Sequence, residues 1–183
     1  SGVLAVIGST LSGNTADEDG GGIHSYHHSA SATATVTNST FVGNSASSPT
    51  GSRPGRGGGI FSHGTLNVTN STFSDNSAFA GVADPGGDSR GGAVWSNGTL
   101  TITNSTLVGN SAGAAGGGIS SGAVVPSIAT VNNTIVARND AGNAPDLVGA
   151  LVGSHNLVGD GSGQTALLDD ISGNQVGTAA SPI

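Results

Sequence analysis

Apolar and polar residues alternate along much of the chain in short segments, each followed by turn residues. In two clear examples, Leu66 and Val68, then Leu100 and Ile102, are each separated by one polar residue. This period of two is that of a β-strand whose faces meet different surroundings. Gly, Asn and Ser between the segments favour tight turns. The pattern therefore predicts many short strands joined by corners.

The segments recur as a repeat of about 30 residues, a period typical of solenoids. Each copy has a Val or Ile eight residues before an anchoring Asn, a Leu, Phe or Val three residues before it, and an Ala two residues after it. The anchors are Asn14, Asn44, Asn76, Asn110 and Asn139. Only the distance from the Ala to the next strand varies, as expected of stacked coils with corner insertions. We predict an all-β solenoid of parallel strands with about five coils over residues 1–146, followed by a less regular coil or cap of the same domain over 147–183.

A second motif, three small residues and then Ile or Val, marks another corner of each coil. It reads GGGI at 20–23, 57–60 and 116–119, and GGAV at 91–94. Glycine suits a corner that needs positive φ and leaves no space for a side chain beneath the next coil. A phosphate-binding loop would need a following helix and usually a Lys, and neither is indicated here.

The segment VTNSTF occurs at 36–41 and at 68–73, and ITNSTL follows at 102–107. These segments place Asn38, Asn70 and Asn104 in one column of the repeat, and Asn133 continues it in the next copy. Stacked Asn side chains can hydrogen-bond from coil to coil, and Asn tolerates turn conformations. Asn-Ser-Thr is also the acceptor pattern for N-linked glycans. We favour structural ladders for both Asn columns, with glycan attachment as the alternative for this one.

Composition narrows the function classes. The net charge is −7, and the cations number four, all Arg. A nucleic-acid binder needs a basic surface, and a membrane span needs about 20 apolar residues, so we expect neither nucleic-acid binding nor membrane insertion. Without Cys there is no disulfide framework. An acidic chain rich in Gly, Thr and Asn is typical of a bacterial exterior, which predicts an extracellular or cell-surface location.

The two motifs together, GG[GA][IV] and [FL]xxN, resemble the repeats of chlamydial polymorphic outer-membrane proteins and of bacterial secreted β-helix repeat proteins. FVGN at 41–44 and FSDN at 73–76 match the second motif directly, and SHNLVGDGSG at 154–163 resembles a closing segment of the secreted group. The resemblance implies a right-handed parallel β-helix with structural or adhesive roles. It also implies that the chain is part of a longer surface protein. We expect a non-catalytic module, with a carbohydrate-binding or polysaccharide-processing β-helix as the alternative.

Candidate catalytic and metal-binding residues are few. Asp169 and Asp170 form the only adjacent Asp pair, and a sugar-cleaving site would need carboxylates on one face of adjacent coils. The acidic run Asp17, Glu18 and Asp19 shows no Arg at the matching position of the next coil. We therefore predict no catalytic residues and no cofactor. This acidic run is a weak candidate for Ca²⁺ ligands.

Three histidines are candidate ligands for a second metal ion, zinc. His27, His28 and His63 fall near one another in the repeat alignment, which makes them a weak zinc candidate. Surface histidines usually serve only as polar surface, and we favour that interpretation here.

Directly after the corner Ile or Val lie His24, Phe61 and Trp95 in three successive coils. Because the preceding residue should point inward, we expect these rings to point outward as an exposed stack. Exposed rings pack on the C–H faces of sugars, so this column is the candidate glycan platform. The expected partners are glycans or proteins of a host or cell surface.

The first coil has no predicted neighbour on its outer side. It would expose Leu4, Val6 and Leu11 together with unpaired strand edges, and such edges are templates for association. We expect either an excised piece of a longer β-helix, which we favour, or end-to-end self-association into a filament.

Overall fold

The computed structural model describes residues 2–26, 32–48, 53–80, 88–122, 129–164 and 166–183. Within these ranges the chain folds into strands and turns without a helix, so no helix is present there that could cross a membrane. The strands form four parallel sheets, here called A to D, each stacked along the solenoid axis. Five successive circuits each contribute one strand to every sheet. The predicted parallel β-solenoid is therefore confirmed.

Sheets A and B carry the first two strands of each circuit. Sheet A contains β1 (Val3–Ile7), β5 (Thr33–Thr37), β9 (Thr65–Thr69), β13 (Thr99–Thr103), β17 (Ala129–Asn132) and β21 (Leu151–Ser154). Sheet B contains β2 (Thr10–Ser12), β6 (Thr40–Val42), β10 (Thr72–Ser74), β14 (Thr106–Val108), β18 (Ile135–Ala137), β22 (Leu157–Val158) and β24 (Gln175–Val176).

Sheets C and D carry the third and fourth strands. Sheet C contains β3 (Thr15–Ala16), β7 (Ser45–Ser48), β11 (Ser77–Ala80), β15 (Ser111–Ala115) and β19 (Asp140–Asn143). Sheet D contains β4 (Ile23–Ser25), β8 (Ile60–Ser62), β12 (Val94–Ser96), β16 (Ile119–Ser121), β20 (Leu147–Gly149) and β23 (Gly163–Gln164).

The core consists of inward rows that the repeat alignment predicted. In sheet A, Val36 pairs with Val68, and Val68 pairs with Ile102; all three are fully buried. In sheet B, the buried rings of Phe41 and Phe73 stack with centroids 4.7 Å apart. The parallel register keeps identical side chains in contact, so each row stabilises the stacking of its neighbours.

The anchoring Asn residues form a continuous ladder along the interior. Each Nδ2 donates to the Oδ1 of the Asn one coil further on, at 2.8–2.9 Å, from Asn14 through Asn44, Asn76 and Asn110 to Asn139. From Asn44 onward the side chains are buried. The same oxygens accept the main-chain N–H of the preceding Asn, for example 3.0 Å from Asn44 to Asn76. The predicted asparagine ladder is therefore confirmed.

A carboxylate ends this ladder. The Oδ1 of Asp146 accepts both Nδ2 and the main-chain N–H of Asn139, at 2.7 and 3.0 Å. Its Oδ2 accepts the main-chain N–H of Asp160 at 2.6 Å. Burial raises the pKa of Asp146. The hydrogen bonds from Asn139 and from the main chain of Asp160 oppose this shift, and the charge of Asp160 adds to it. A carboxyl group suits the last position because both of its oxygens accept bonds from N–H donors.

The middle residue of the Asn-Ser-Thr triplet builds a second ladder. The hydroxyl oxygen of Ser71 accepts the main-chain N–H of Ser39 at 3.1 Å and donates to the carbonyl of Thr69 at 2.9 Å. Ser105 and Thr134 continue the row. The Ser of the triplet therefore supports the coil stacking, a role that the sequence analysis did not assign to it.

The first residue of the triplet lies outside, at the corner between sheets A and B. Asn38, Asn70, Asn104 and Asn133 have φ between 48° and 52° and are exposed. Nδ2 of Asn70 donates to Asn38 at 3.1 Å, and Nδ2 of Asn133 donates to Asn104 at 2.8 Å. The outer column thus provides the left-handed turn and pairs its amides, while its exposure leaves the glycan alternative open.

The Gly corner has a different requirement at each of its three positions. The first glycine has positive φ, as in Gly57 at 64°. A Cβ on the second, Gly58, would collide with the main chain of Ser77 and of Gly92 in the next coil. The third position accepts Ala93 in the GGAV copy. Backbone conformation therefore explains the first glycine, and close stacking against the next coil explains the second.

The two ends of the solenoid differ. In the first coil Val3, Leu4 and Ile7 are 81%, 38% and 67% exposed, since β1 is the edge strand of sheet A among the described strands. At the other end the buried Leu167 joins the core cluster beyond the last full circuit. The C-terminal segment thus covers part of the last coil. Self-association through the first coil stays a prediction.

Candidate functional site

An aromatic column runs across sheet D on its outer side. The parallel register sets His24 against Phe61 and Phe61 against Trp95. The Phe61 and Trp95 rings stack with centroids 4.5 Å apart and planes at 6°, and His24 meets Phe61 edge-on at 4.8 Å. The predicted stack therefore exists in the predicted coils.

Its exposure was predicted wrongly. Phe61 and Trp95 are 4% and 8% exposed, and only His24 of the three predicted platform residues is open to solvent. The rings cover each other, and the guanidinium of Arg56 lies 5.5 Å from the Trp95 ring centroid, within cation–π distance. The Phe61 and Trp95 faces are consequently not available as an open sugar platform.

A cleft of about 470 Å³ lies beside this column, and we call it the outer cleft. Its aromatic residues are Tyr26, Phe61 and Trp95, with His24 and His63 beside them. Tyr26 is 50% exposed, and its ring meets His63 edge-on at 5.2 Å and His24 at 6.0 Å. Tyr26 and His24 therefore provide the accessible rings of the cleft.

Charged and amide groups form the rest of the lining: Glu18, Asp19, Arg53, Arg56 and Asn97. Nδ2 of Asn97 lies 3.2 Å from Nε2 of His63, which fixes that imidazole. Arg53 lies 3.6 Å from Glu18, with both side chains largely exposed. Apolar rings and paired polar groups thus converge on one concave surface, as in small-molecule sites.

Asp19 and Arg56 are brought together by the main chain. Asp19 is the bridge partner of Arg56, and Arg56 is the bridge partner of Arg90 in the following coil. The expectation that no Arg lies at the matching position of the next coil is therefore wrong. Each of the three residues directly precedes the first Gly of its corner, so an alignment on the Gly corner identifies the column.

Asp19 has the most perturbed carboxyl of the cleft. Burial raises its pKa, while Arg56 and His24 oppose that shift and Glu18 adds to it. Its Oδ1 is buried and lacks a hydrogen-bond partner among the described residues. A buried acceptor left in this state is costly.

The remaining candidates lie apart from the cleft or outside the described residues. Asp169 accepts the main-chain N–H of Val176 at 2.8 Å in an exposed turn, and neither it nor Asp170 lines the cleft. His27 and His28 lie outside the described residues. Among the described residues no group of three or more His, Asp or Glu could hold a metal ion. Calcium binding by Asp17, Glu18 and Asp19 stays a prediction.

Residues 8–26 match the model of the Chlamydia polymorphic membrane protein repeat. This match covers the first Asn anchor and the first Gly corner, and the same columns recur along the solenoid. Together they show a β-helix repeat protein similar to the polymorphic membrane proteins. Comparison with curated proteins and with solved structures gave no match.

Proposed function

We propose that the chain is a non-catalytic module of a bacterial surface protein and that it binds glycans through the outer cleft. The matched repeat is one of a membrane-protein family, which supports a cell-surface module at that coarse level. The laddered solenoid supplies a rigid body, and the cleft supplies an adhesive site on its side.

The observation that carries this proposal is the combination of rings and hydrogen-bonding groups in one cleft. Its volume of about 470 Å³ lies within the range of about 300–1,000 Å³ of ligand pockets. The half-exposed Tyr26 offers a ring face for sugar C–H groups. The side chain of Arg53, 72% exposed, offers N–H donors to sugar oxygens. Sugars present both kinds of surface.

A glycan array followed by calorimetry on the best ligand tests the proposal. Tyr26→Ala should weaken binding by about tenfold or more, as expected when an aromatic contact is lost. Phe79→Ala is the matched control, because Phe79 is 40% exposed on β11 and does not line the cleft. The absence of any bound glycan, or equal affinity of the Tyr26 variant and the unchanged chain, would contradict the proposal.

A polysaccharide-processing enzyme is the second candidate. It is favoured by one observation, that Glu18, Asp19 and Arg56 meet beside two imidazoles. Paired acids and bases of this kind perform glycoside cleavage. Incubation with a panel of polysaccharides decides between the candidates. Product formation that Asp19→Asn abolishes would replace the non-catalytic proposal.

A further inference from the structure

The cations of this acidic chain are gathered at one place. The sequence has a net charge of −7 and only four Lys and Arg residues. Arg53 and Arg56 line the outer cleft, and Arg90 follows Arg56 in the next coil. Three of the four cations therefore lie at or beside the same cleft. Although Glu18, Asp19 and Asp88 lie beside them, these guanidinium groups provide the cationic donors that a negatively charged ligand group needs.

Arg56 is held in place. Its Nη2 donates to Oδ2 of Asp88 at 3.1 Å, its Nε donates to the Asp88 carbonyl at 3.4 Å, and its guanidinium carbon lies 5.5 Å from the Trp95 ring centroid. Arg90 contacts the other Asp88 oxygen. A guanidinium has five N–H donors, so the bonds to Asp88 orient Arg56 and still leave donors for a ligand.

Arg53 is held more weakly. Its side chain is 72% exposed and lies 3.6 Å from the Glu18 carboxylate, itself 47% exposed. An exposed ion pair at this distance is weak. A ligand carboxylate can therefore take the place of Glu18, with the two-donor geometry that arginine prefers.

We propose that the outer cleft selects saccharides that carry a carboxylate, with Arg53 and Arg56 binding the carboxylate. This inference rests on the proposed glycan binding and adds the class of glycan. A phosphate monoester is disfavoured because Glu18 and Asp19 also line the cleft, and its higher charge would meet stronger repulsion there.

Binding of short galacturonan oligomers, as free acids and as methyl esters, tests the inference. Esterification removes the charge and keeps the sugar skeleton. At low salt the acid should bind about tenfold or more tightly than the ester, and the difference should shrink as salt rises. A second pair, sialyllactose and lactose, shows whether the carboxylate is taken from a uronic or from a sialic sugar.

Two matched variants separate a local contact from the overall charge. Arg53→Gln should lower affinity for the acid about tenfold and leave the ester unchanged. Arg138→Gln removes the same charge at the exposed turn after β18, outside the cleft, and should have little effect. Equal binding of acid and ester, or equal losses in the two variants, overturns the inference while glycan binding stands. Failure of every saccharide to bind overturns both proposals.

Discussion

Replacement of Asn76 by Ala tests whether the buried ladder holds the coils together. Asn76 lies in the middle of the ladder and is fully buried. Its Oδ1 accepts the main-chain N–H and the Nδ2 of Asn44, at 3.0 and 2.9 Å. Its Nδ2 donates to the Phe41 carbonyl at 3.0 Å and to Oδ1 of Asn110 at 2.9 Å. The substitution removes all four bonds.

The cost follows from the groups that lose their partners. Nδ2 of Asn44 still donates to the Leu11 carbonyl, and Oδ1 of Asn110 still accepts the main-chain N–H of residue 76. The N–H of Asn44 loses its side-chain acceptor and the carbonyl of Phe41 loses its Asn76 donor. At about 1–3 kcal/mol for each buried orphan, the free energy of unfolding should fall by about 4 kcal/mol.

Asn70→Gly is the control. Asn70 is in the exposed outer column, makes one amide bond to Asn38 at 3.1 Å, and has φ of 51°, which Gly adopts without strain. Its cost should stay below about 1 kcal/mol. Urea titration followed by far-ultraviolet circular dichroism measures both variants, and amide exchange at Asn44 reports the opened position directly. Equal costs for the two variants would refute the ladder argument.

Three further predictions concern the corner, the core and pH. Gly58→Ala should cost about 3 kcal/mol because its Cβ meets the main chain of the adjacent coil, whereas Gly113→Ala should be mild because the nearest atoms to a Cβ there, on Ser89 and Phe79, lie at 3.4 and 3.6 Å; thermal melts compare them. Val68→Asp buries a charge in a fully buried row, so it should cost more than about 4 kcal/mol and yield little folded protein in a solubility assay. Since burial raises the pKa of Asp146 above its ordinary 3.8, its ionisation disfavours the folded state, and the free energy of unfolding should fall as pH rises from about 4 through the raised value. Asp146→Asn should flatten that slope in urea titrations at several pH values, and an unchanged slope would contradict the assignment.

The periodic part of the structure was predictable from the sequence. Each residue of a solenoid row contacts the residue at the same repeat position in the adjacent coil. A sequence alignment of the repeats therefore identifies which residues are in contact. The alignment of Val36 with Val68 and of Asn44 with Asn76 therefore predicted real contacts. Asp146 escaped prediction because it follows Asn139 by only seven residues and so lies outside the repeat period.

The burial of the aromatic column, unlike these contacts, could not be predicted from the repeat alignment. Alternation within a strand correctly placed Phe61 and Trp95 on the outer side of sheet D. A corner insertion covers that side: its residue Arg56 places the guanidinium 5.5 Å from the Trp95 ring centroid. Insertion residues have no counterpart at a fixed distance from the Asn anchor, so the anchor alignment could not locate Arg56. Alignment on the Gly corner restores the register at Asp19 and Arg56.

The charged residues of the outer cleft all come from one kind of segment. Glu18, Asp19, Arg53 and Arg56 lie between the Ala after an Asn anchor and the next Gly corner, and Asp88 and Arg90 occupy the same segment one coil on. The corresponding segment of the fourth coil is Gly113, Ala114 and Ala115, without charge. Because the ladders lie elsewhere on the coil, this corner can change in length and charge while the stacking is preserved. It follows that Arg53→Gln should weaken ligand binding with little loss of stability. Asn76→Ala should instead lower the free energy of unfolding, and it should weaken ligand binding only as far as the coils separate.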